Sequence, residues 1–317
     1  MRAGPLAAPI PRTDKPTGSE PTQVGPRDEV EPKSLWCLAP EASLMTAPAF
    51  STSRAPVLEV FSSVQGEGAF VGEAQVFVRL AGCPLRCRWC DTPESWPVRG
   101  GAARVFGAEG EREEEPWASP FQVLTWILAA EPREPRTISL TGGEPLSWPG
   151  FVAGLARVKG PRRLHLETAG GHPESLAAVL DGVDHVSLDL KLPEDMRAPV
   201  PLAVQGPEGE QPWGEASPAS SEDWELARRR CLTLIADHDA CAKLIVAGDQ
   251  PARAFLPLLE DVARLAPRLP LYLQPVTPTA GVPAPSAQLL TEVHEDARDL
   301  GLRARVVPQI HRALGIP

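Results

Sequence analysis

Past residue 56 the chain alternates between two apolar rhythms. Short runs rich in β-branched and aromatic residues predict strands at Val57–Phe61, Gln75–Leu80, Arg136–Leu140, Arg162–Leu166, His185–Leu190, Cys241–Val246, Leu271–Leu273 and Leu302–Val307. Longer segments of helical character lie between most of them. The first is Pro120–Ala130, opened by the cap-plus-first-turn pair Ser119-Pro120; Trp148–Val158 and Pro173–Leu180 follow. Glu222–Ala236 starts behind Ser221, and after Ala252–Leu265 comes Ser286–Leu300, stopped at Gly301. Strands alternating with helices imply a parallel sheet with right-handed crossovers. With about six such units the pattern predicts an α/β fold, a partial, open βα barrel rather than a closed eight-stranded one.

Three stretches break the rhythm. Residues 1–56 are rich in Pro, Ala, Ser, Thr and charge, and read as a disordered extension that holds Cys37 beside Trp36. Residues 99–118 are rich in Gly and Glu and include the run from Glu111 to Glu115, which reads as a solvated insertion. Residues 199–221 form a second low-complexity insertion of Pro, Glu, Gly and Ser. The structured domain is therefore expected over 57–317.

Charge and cysteine usage narrow the function classes. A net charge of −10 argues against bulk electrostatic binding of nucleic acid. The N-terminus lacks the apolar core of a signal peptide, and the longest apolar run, Val123–Ala130, is helix-sized rather than membrane-spanning. Three of the six cysteines cluster instead of forming a disulfide framework, which fits a reducing cytoplasm.

The polar residues at strand ends carry the chemistry. Thr141, Glu167, Asp189, Lys191 and Gln274 all fall at or just beyond the C-terminal ends of predicted strands, the edge that forms the site in parallel α/β folds. The loop Arg79–Thr92, RLAGCPLRCRWCDT, follows another strand and brings Cys83, Cys87 and Cys90 together as C-x3-C-x2-C. Three thiolates would leave one iron of a [4Fe–4S] cluster open to a small molecule. The same three could hold zinc with a distant fourth ligand such as Cys231, Cys241 or His238.

This spacing resembles the signature of the radical S-adenosylmethionine (SAM) superfamily, and Thr141-Gly142-Gly143-Glu144-Pro145 resembles that superfamily's GGEP segment. The segments Val60–Gly68, Phe77–Cys83 and Trp89–Thr92 together resemble the 7-carboxy-7-deazaguanine synthase family, from about Val57 to Pro317. The resemblance implies a barrel of the radical SAM type and a radical ring contraction, with loss of ammonia. The reaction turns 6-carboxy-5,6,7,8-tetrahydropterin into 7-carboxy-7-deazaguanine for queuosine and related deazapurines. SAM, bound at the open iron, would be reductively cleaved to a 5′-deoxyadenosyl radical and regenerated.

Residue by residue, the resemblance implies that Cys83, Cys87 and Cys90 hold the cluster and Thr92 holds Mg²⁺. Val64, Gln65, Gly66, Arg79, Thr141 and the terminal Pro317 would meet the pterin, with Arg79 on its carboxylate. SAM would lie against Trp89, Cys90, Asp91, Gly143, Asp189, Lys191 and Gln274; at Asp189 the chain departs from the family's Ser-Pro-Lys. A reducing electron donor of the flavodoxin type and a homodimer are also implied. His294 and His311 read as packing or surface residues, and Cys231 and Cys241 as packing residues. A glycyl-radical activase and a non-catalytic zinc- or cluster-binding protein are the alternatives; the Gln65–Gly68 and Cys90–Thr92 motifs argue against the activase.

Overall fold

The structure, a computed structural model, describes residues 53–317 except 99, 132, 135, 205, 208–211, 213, 214, 280 and 317. The extension expected over 1–56 therefore falls outside the described residues up to 52, as does Pro317. The first strand already begins at Ala55. No helix among the described residues is long and apolar enough to cross a membrane.

Strands β1 (Ala55–Val64) and β2 (Ala74–Leu80) form an antiparallel pair, and the two-residue strand β3 (Arg86–Cys87) lies in the cysteine loop. Next come β4 (Ala103–Gly107), β5 (Gly110–Glu114), β6 (Trp117–Ala118), helix α1 (Pro120–Ala130) and β7 (Thr137–Gly142). The chain then runs through α2 (Pro149–Val158), β8 (Leu164–Thr168), α3 (Pro173–Val179), β9 (His185–Leu190) and the short β10 (Met196–Arg197). It closes with α4 (Ser221–Ile235), β11 (Ala240–Val246), α5 (Leu256–Leu265), β12 (Leu271–Pro275), α6 (Ala287–Asp299), β13 (Ala304–Val306) and α7 (Ile310–Leu314).

Seven strands, in the order β2-β7-β8-β9-β11-β12-β13, are mutually parallel, and β1 is added antiparallel on the far side of β2. Each new strand joins the same growing edge. Right-handed crossovers then put the connecting helices α1–α6 on one face, the outside of an open barrel. Side-chain parity follows from this. Along β2, β7, β8, β9 and β11 one parity is apolar and buried: Val76, Val78, Ile138, Leu140, Leu164, Leu166, Val186, Leu188, Ala242 and Leu244. The opposite parity carries Gln75, Arg79, Ser139, Thr141, His165, Glu167, Ser187, Asp189, Cys241 and Lys243. Strand side chains alternate faces, so the first set meets the helices and the second fills the barrel interior.

Helix starts follow local chemistry. Ser119 and Gln122 form a reciprocal capping box at α1, with Pro120 in the first turn. At α4 the capping residue is Ser220, paired with Asp223, one position before the serine expected.

From residue 100 on, the stretch expected as a solvated insertion is not one. It folds as the β4–β5 hairpin and β6, with Ala103, Val105, Trp117 and Ala118 in the main core and Trp117 edge-on to Trp148 at 5.5 Å. Only alternate residues of a hairpin face inward, and two small ones between Gly and Glu give almost no periodic signal. The Glu111–Glu114 run lies on the outermost strand, where charge discourages edge-to-edge pairing. Residues 199–219 contain no helix or strand among the described residues. Glu215 nonetheless accepts from the Glu174 and Ser175 amides at the start of α3, at 3.0 and 2.9 Å.

Trp117→Ala should destabilise the protein by about 3–5 kcal/mol in urea unfolding, because the ring is buried against the core. A change within about 0.5 kcal/mol would mark the stretch as a detached surface insertion instead.

Candidate active site

A cavity of about 730 Å³ opens at the C-terminal ends of the parallel strands. Val64, Gln65, Gly66, Arg79, Cys83, Cys87, Trp89, Cys90, Asp91, Thr92, Thr141, Gly143, Asp189, Lys191 and Gln274 all line it. Every site residue expected from the sequence, apart from Pro317 outside the described residues, thus reaches one space from separate parts of the chain.

The Gly142-Gly143 turn explains how two of its walls meet. Gly142 has φ +127°, and a Cβ there would overlap the Leu80 backbone, while one on Gly143 would overlap Gly82 O. Without side chains, Gly143 N donates to Leu80 O at 2.9 Å and Glu144 N to Gly82 O at 3.0 Å. The end of β7 is thereby fastened to the cysteine loop. The buried Glu144 carboxylate accepts from Thr168 Oγ1 at 2.8 Å and Ala169 N at 2.9 Å, tying in the end of β8.

The thiols fit a cluster better than zinc. Among the described residues, the only His, Cys, Asp and Glu trio whose ligand atoms all lie within 4.8 Å of one another is Glu67, Asp91 and His311. At least one pair of the three sulfurs is therefore farther apart than that, whereas tetrahedral zinc at about 2.3 Å per bond draws all its thiolates closer together. A cubane gives each thiolate its own iron and suits the wider setting. Cys231, Cys241 and His238 do not line the cavity: Cys231 donates to Gly170 O at 3.4 Å, and Cys241 lies 3.3 Å from Ser187 Oγ inside the barrel. Burial, then Glu144 and the neighbouring Cys87, push the Cys83 thiol up; burial does the same to Cys87. Such thiols are poor free nucleophiles and become thiolates when metal ions compensate their charge.

Residues matched to SAM also show a fit. Trp89 Nε1 and Gln274 Oε1 are buried without hydrogen-bond partners and belong to residues that line the cavity. Buried polar atoms of this kind call for a partner. Lys191 Nζ lies 5.4 Å from the Trp89 ring centre and 3.2 Å from Asp189 Oδ2. Burial works against its charge, but Cys87, Asp189 and Glu144 outweigh that and hold it protonated.

The opposite wall is built on Arg79. Its Nε donates to Glu59 Oε1 at 2.8 Å, and Glu59 also binds Arg104 at 2.7 Å. The guanidinium lies 5.7 Å from the Phe61 ring centre, and Phe61 stacks on Phe77 at 5.2 Å. The terminal nitrogens of Arg79 have no hydrogen-bond partner among the described residues.

Below these walls sits a buried ion cluster. Lys243 Nζ is 2.8 Å from Glu67 Oε2, 3.0 Å from Asp189 Oδ1 and 3.4 Å from Glu167 Oε2. Glu167 Oε1 accepts from Ser139 Oγ at 2.7 Å and Gln65 Nε2 at 3.0 Å. Burial alone would raise the Glu167 pKa; Lys243 chiefly, helped by His165 and these hydrogen bonds, holds it down to about 2. Lys243 likewise keeps Glu67 below the usual carboxylate range despite its burial.

Sequence reasoning missed Lys243 and Glu67. The signal for Lys243 was present: one charge at the inward parity of an otherwise apolar strand, ACAKLIV. His311, expected as a packing or surface residue, instead lines the cavity so close to Gly66 that a Cβ there would overlap its ring. Gln309 Nε2 bridges Glu67 Oε1 at 2.7 Å and Asp91 Oδ2 at 3.2 Å, and Ile310 N donates to Gly66 O at 3.1 Å. The C-terminal segment thus forms a wall, and no periodicity announced it.

A parallel open barrel with three thiols and a GGEP turn at one mouth defines a radical SAM protein, and the sequence matches the Radical SAM superfamily over residues 78–201. A 7-carboxy-7-deazaguanine synthase of Methanothermobacter thermautotrophicus is 33% identical over 267 residues, covering 83% of this chain and 98% of that protein. One from Methanopyrus kandleri is 34% identical over 265 residues, covering 81% and 92%. The chain belongs to the 7-carboxy-7-deazaguanine synthase family. The crystal structure of QueE from Escherichia coli overlaps 80% of this chain and 93% of its own, at 21% identity and a TM-score of 0.49.

Beneath the ion cluster, buried His165 bonds Ser187 Oγ through Nε2 at 2.8 Å, and burial lowers its pKa from 6.5 to about 4. Between those values the unfolded chain binds the proton and the native state refuses it, so stability should fall as pH drops from about 6.5 to 4. His165→Asn should flatten that part of the urea-unfolding profile. An unchanged slope would mean that His165 already carries its proton when folded.

Proposed function

We propose that the chain converts 6-carboxy-5,6,7,8-tetrahydropterin to 7-carboxy-7-deazaguanine with loss of ammonia, as a radical SAM lyase of 7-deazapurine biosynthesis. The observation that carries this reading is the pairing of an uncommitted Arg79 fork with an anionic floor in the cavity of the three thiols. A cluster held by Cys83, Cys87 and Cys90 would, together with SAM and a reductant, supply a 5′-deoxyadenosyl radical. The chain's own residues orient and shield.

Arg79 presents two terminal nitrogens to a carboxylate while Glu59 fixes Nε, so the fork arrives pre-aimed. Phe61 and Phe77 give a flat ring an apolar wall. Glu167, kept anionic, offers acceptors to the N–H-rich edge of a pterin, and Gln65 lies beside it. Positive charge at one wall and negative charge at the floor favour one orientation of an anionic, donor-edged ring and oppose its reverse. Trp89, Asp189, Lys191 and Gln274 are assigned to SAM, and Val64, Gly66 and Thr141 to the pterin.

Thr92 would hold Mg²⁺ through its hydroxyl, a hard oxygen ligand suited to that ion. A flavodoxin-like reductant and a homodimer complete the proposal. The sequence alternatives, a glycyl-radical activase and a non-catalytic metal protein, draw no support from the curated relatives' names.

Reduced enzyme supplied with SAM, Mg²⁺ and the carboxypterin should give the deazaguanine by mass spectrometry; SAM cleavage without it would point to another substrate. Arg79→Ala should keep its iron and sulfide but raise the substrate KM by about 10–100-fold, the loss of a charge-assisted fork. Loss of the cluster in that variant would make Arg79 a structural residue.

A further inference from the structure

The two residues between Cys87 and Cys90 are anchored in different ways. Trp89 packs against the cluster of Ile245, Ala247, Val276 and Val282, at and just beyond the ends of β11 and β12. Arg88 does not line the cavity and reaches two carboxylates from elsewhere in the chain. Its Nε donates to Asp195 Oδ1 at 2.7 Å, and its two terminal nitrogens donate to the two oxygens of Asp249, each at 2.6 Å.

The main chain reinforces this tie. Arg88 N donates to Asp195 O at 3.0 Å, Cys87 pairs with Met196 in the β3–β10 ribbon, and Val200 N donates to Pro84 O at 2.8 Å. Residues 192–200, which run into the second low-complexity stretch, therefore clasp the cysteine loop.

Both carboxylates are themselves fixed. Asp195 is fully buried, and its Oδ1 also accepts from Gln250 Nε2 at 3.4 Å. Asp249 follows Gly248, where a Cβ would overlap Ala284 O and where the amide donates to Pro283 O at 2.9 Å. An exposed ion pair contributes little by itself. Here Asp249 is exposed but gripped by a fork, and the same guanidinium also reaches the buried Asp195 from inside the cysteine spacing.

We propose that Arg88 is a positioning residue for the cluster, binding the loop to the exits of β9 and β11 through Asp195 and Asp249. It thereby sets how Cys87 and Cys90 stand relative to each other before any iron arrives. Residues that orient metal ligands commonly matter about 10–100-fold for affinity or activity. The inference rests on the cluster reading of the three thiols.

The test compares wild type, Asp249→Asn, Arg88→Lys and Asp249→Glu, each reconstituted anaerobically with iron and sulfide. Asp249→Asn and Arg88→Lys should keep the circular dichroism and urea midpoint of the apoprotein. They should lose iron to a chelator about 10–100-fold faster than wild type. SAM should perturb the electron paramagnetic resonance signal of their reduced clusters less, and the KM for SAM should rise more than kcat falls. Asp249→Glu, which keeps the carboxylate, should restore iron retention. Variants that hold iron as wild type does, with the same SAM-dependent spectrum, would overturn the proposal. So would iron loss that only tracks apoprotein stability. A wild-type chain that takes up neither iron nor sulfide would sink the cluster reading first, and the proposal with it.

Discussion

Much of the cavity depends on one buried ammonium. Lys243 stands on β11 among carboxylates from the Gln65–Gly68 turn, β8 and β9, and those three elements share no backbone ladder with one another except at β8–β9. Three negative charges in a desolvated space repel, and without a cation some would take up protons. With Lys243 in their midst Glu67 and Glu167 stay anionic, and all three carboxylates point inward. A buried ion cluster of this sort adds little net stability compared with an apolar core. Its contribution is arrangement: it fixes where Glu67, Glu167 and Asp189 stand, and with them the floor on which a substrate would rest.

The other walls are fastened differently. The cysteine loop is tied to β7 through the glycine contacts at Leu80 and Gly82, to β9 and β11 through Arg88, and to the C-terminal segment through Asp91. Each tie is polar and directional, unlike the apolar packing between sheet and helices. Rigid strands supply coarse placement, and hydrogen bonds between loops supply the fine setting that ligand geometry needs.

Legibility from sequence followed the same division. The parallel strands and their helices were readable because buried strands such as Val186–Leu190 and Leu164–Leu166 carry unbroken apolar parity. The cysteine loop and the GGEP turn were readable because their chemistry demands fixed residue types at fixed spacing. The β4–β5 hairpin was not, since Ala103 and Val105 are too small and too few to outweigh the glutamates around them. The C-terminal wall of Gln309, His311 and Arg312 was foreshadowed only by the resemblance that set Pro317 at the pterin, since its place depends on where the chain returns in space rather than on any local pattern. The ribbon between Cys87 and Met196 was hidden for the same reason: two-residue strands leave no period.

Strand parity has a further consequence for how such a protein can diverge. Outward positions on β7, β8 and β9 are committed to the helices, so their replacement is judged by volume and hydrophobicity. Inward positions on the same strands are judged by what they hold in the cavity. A single strand therefore answers to two independent selective demands at alternate residues. Chemistry can drift along one set while the scaffold is conserved along the other, provided that each new charge admitted to the interior finds its counter-ion there.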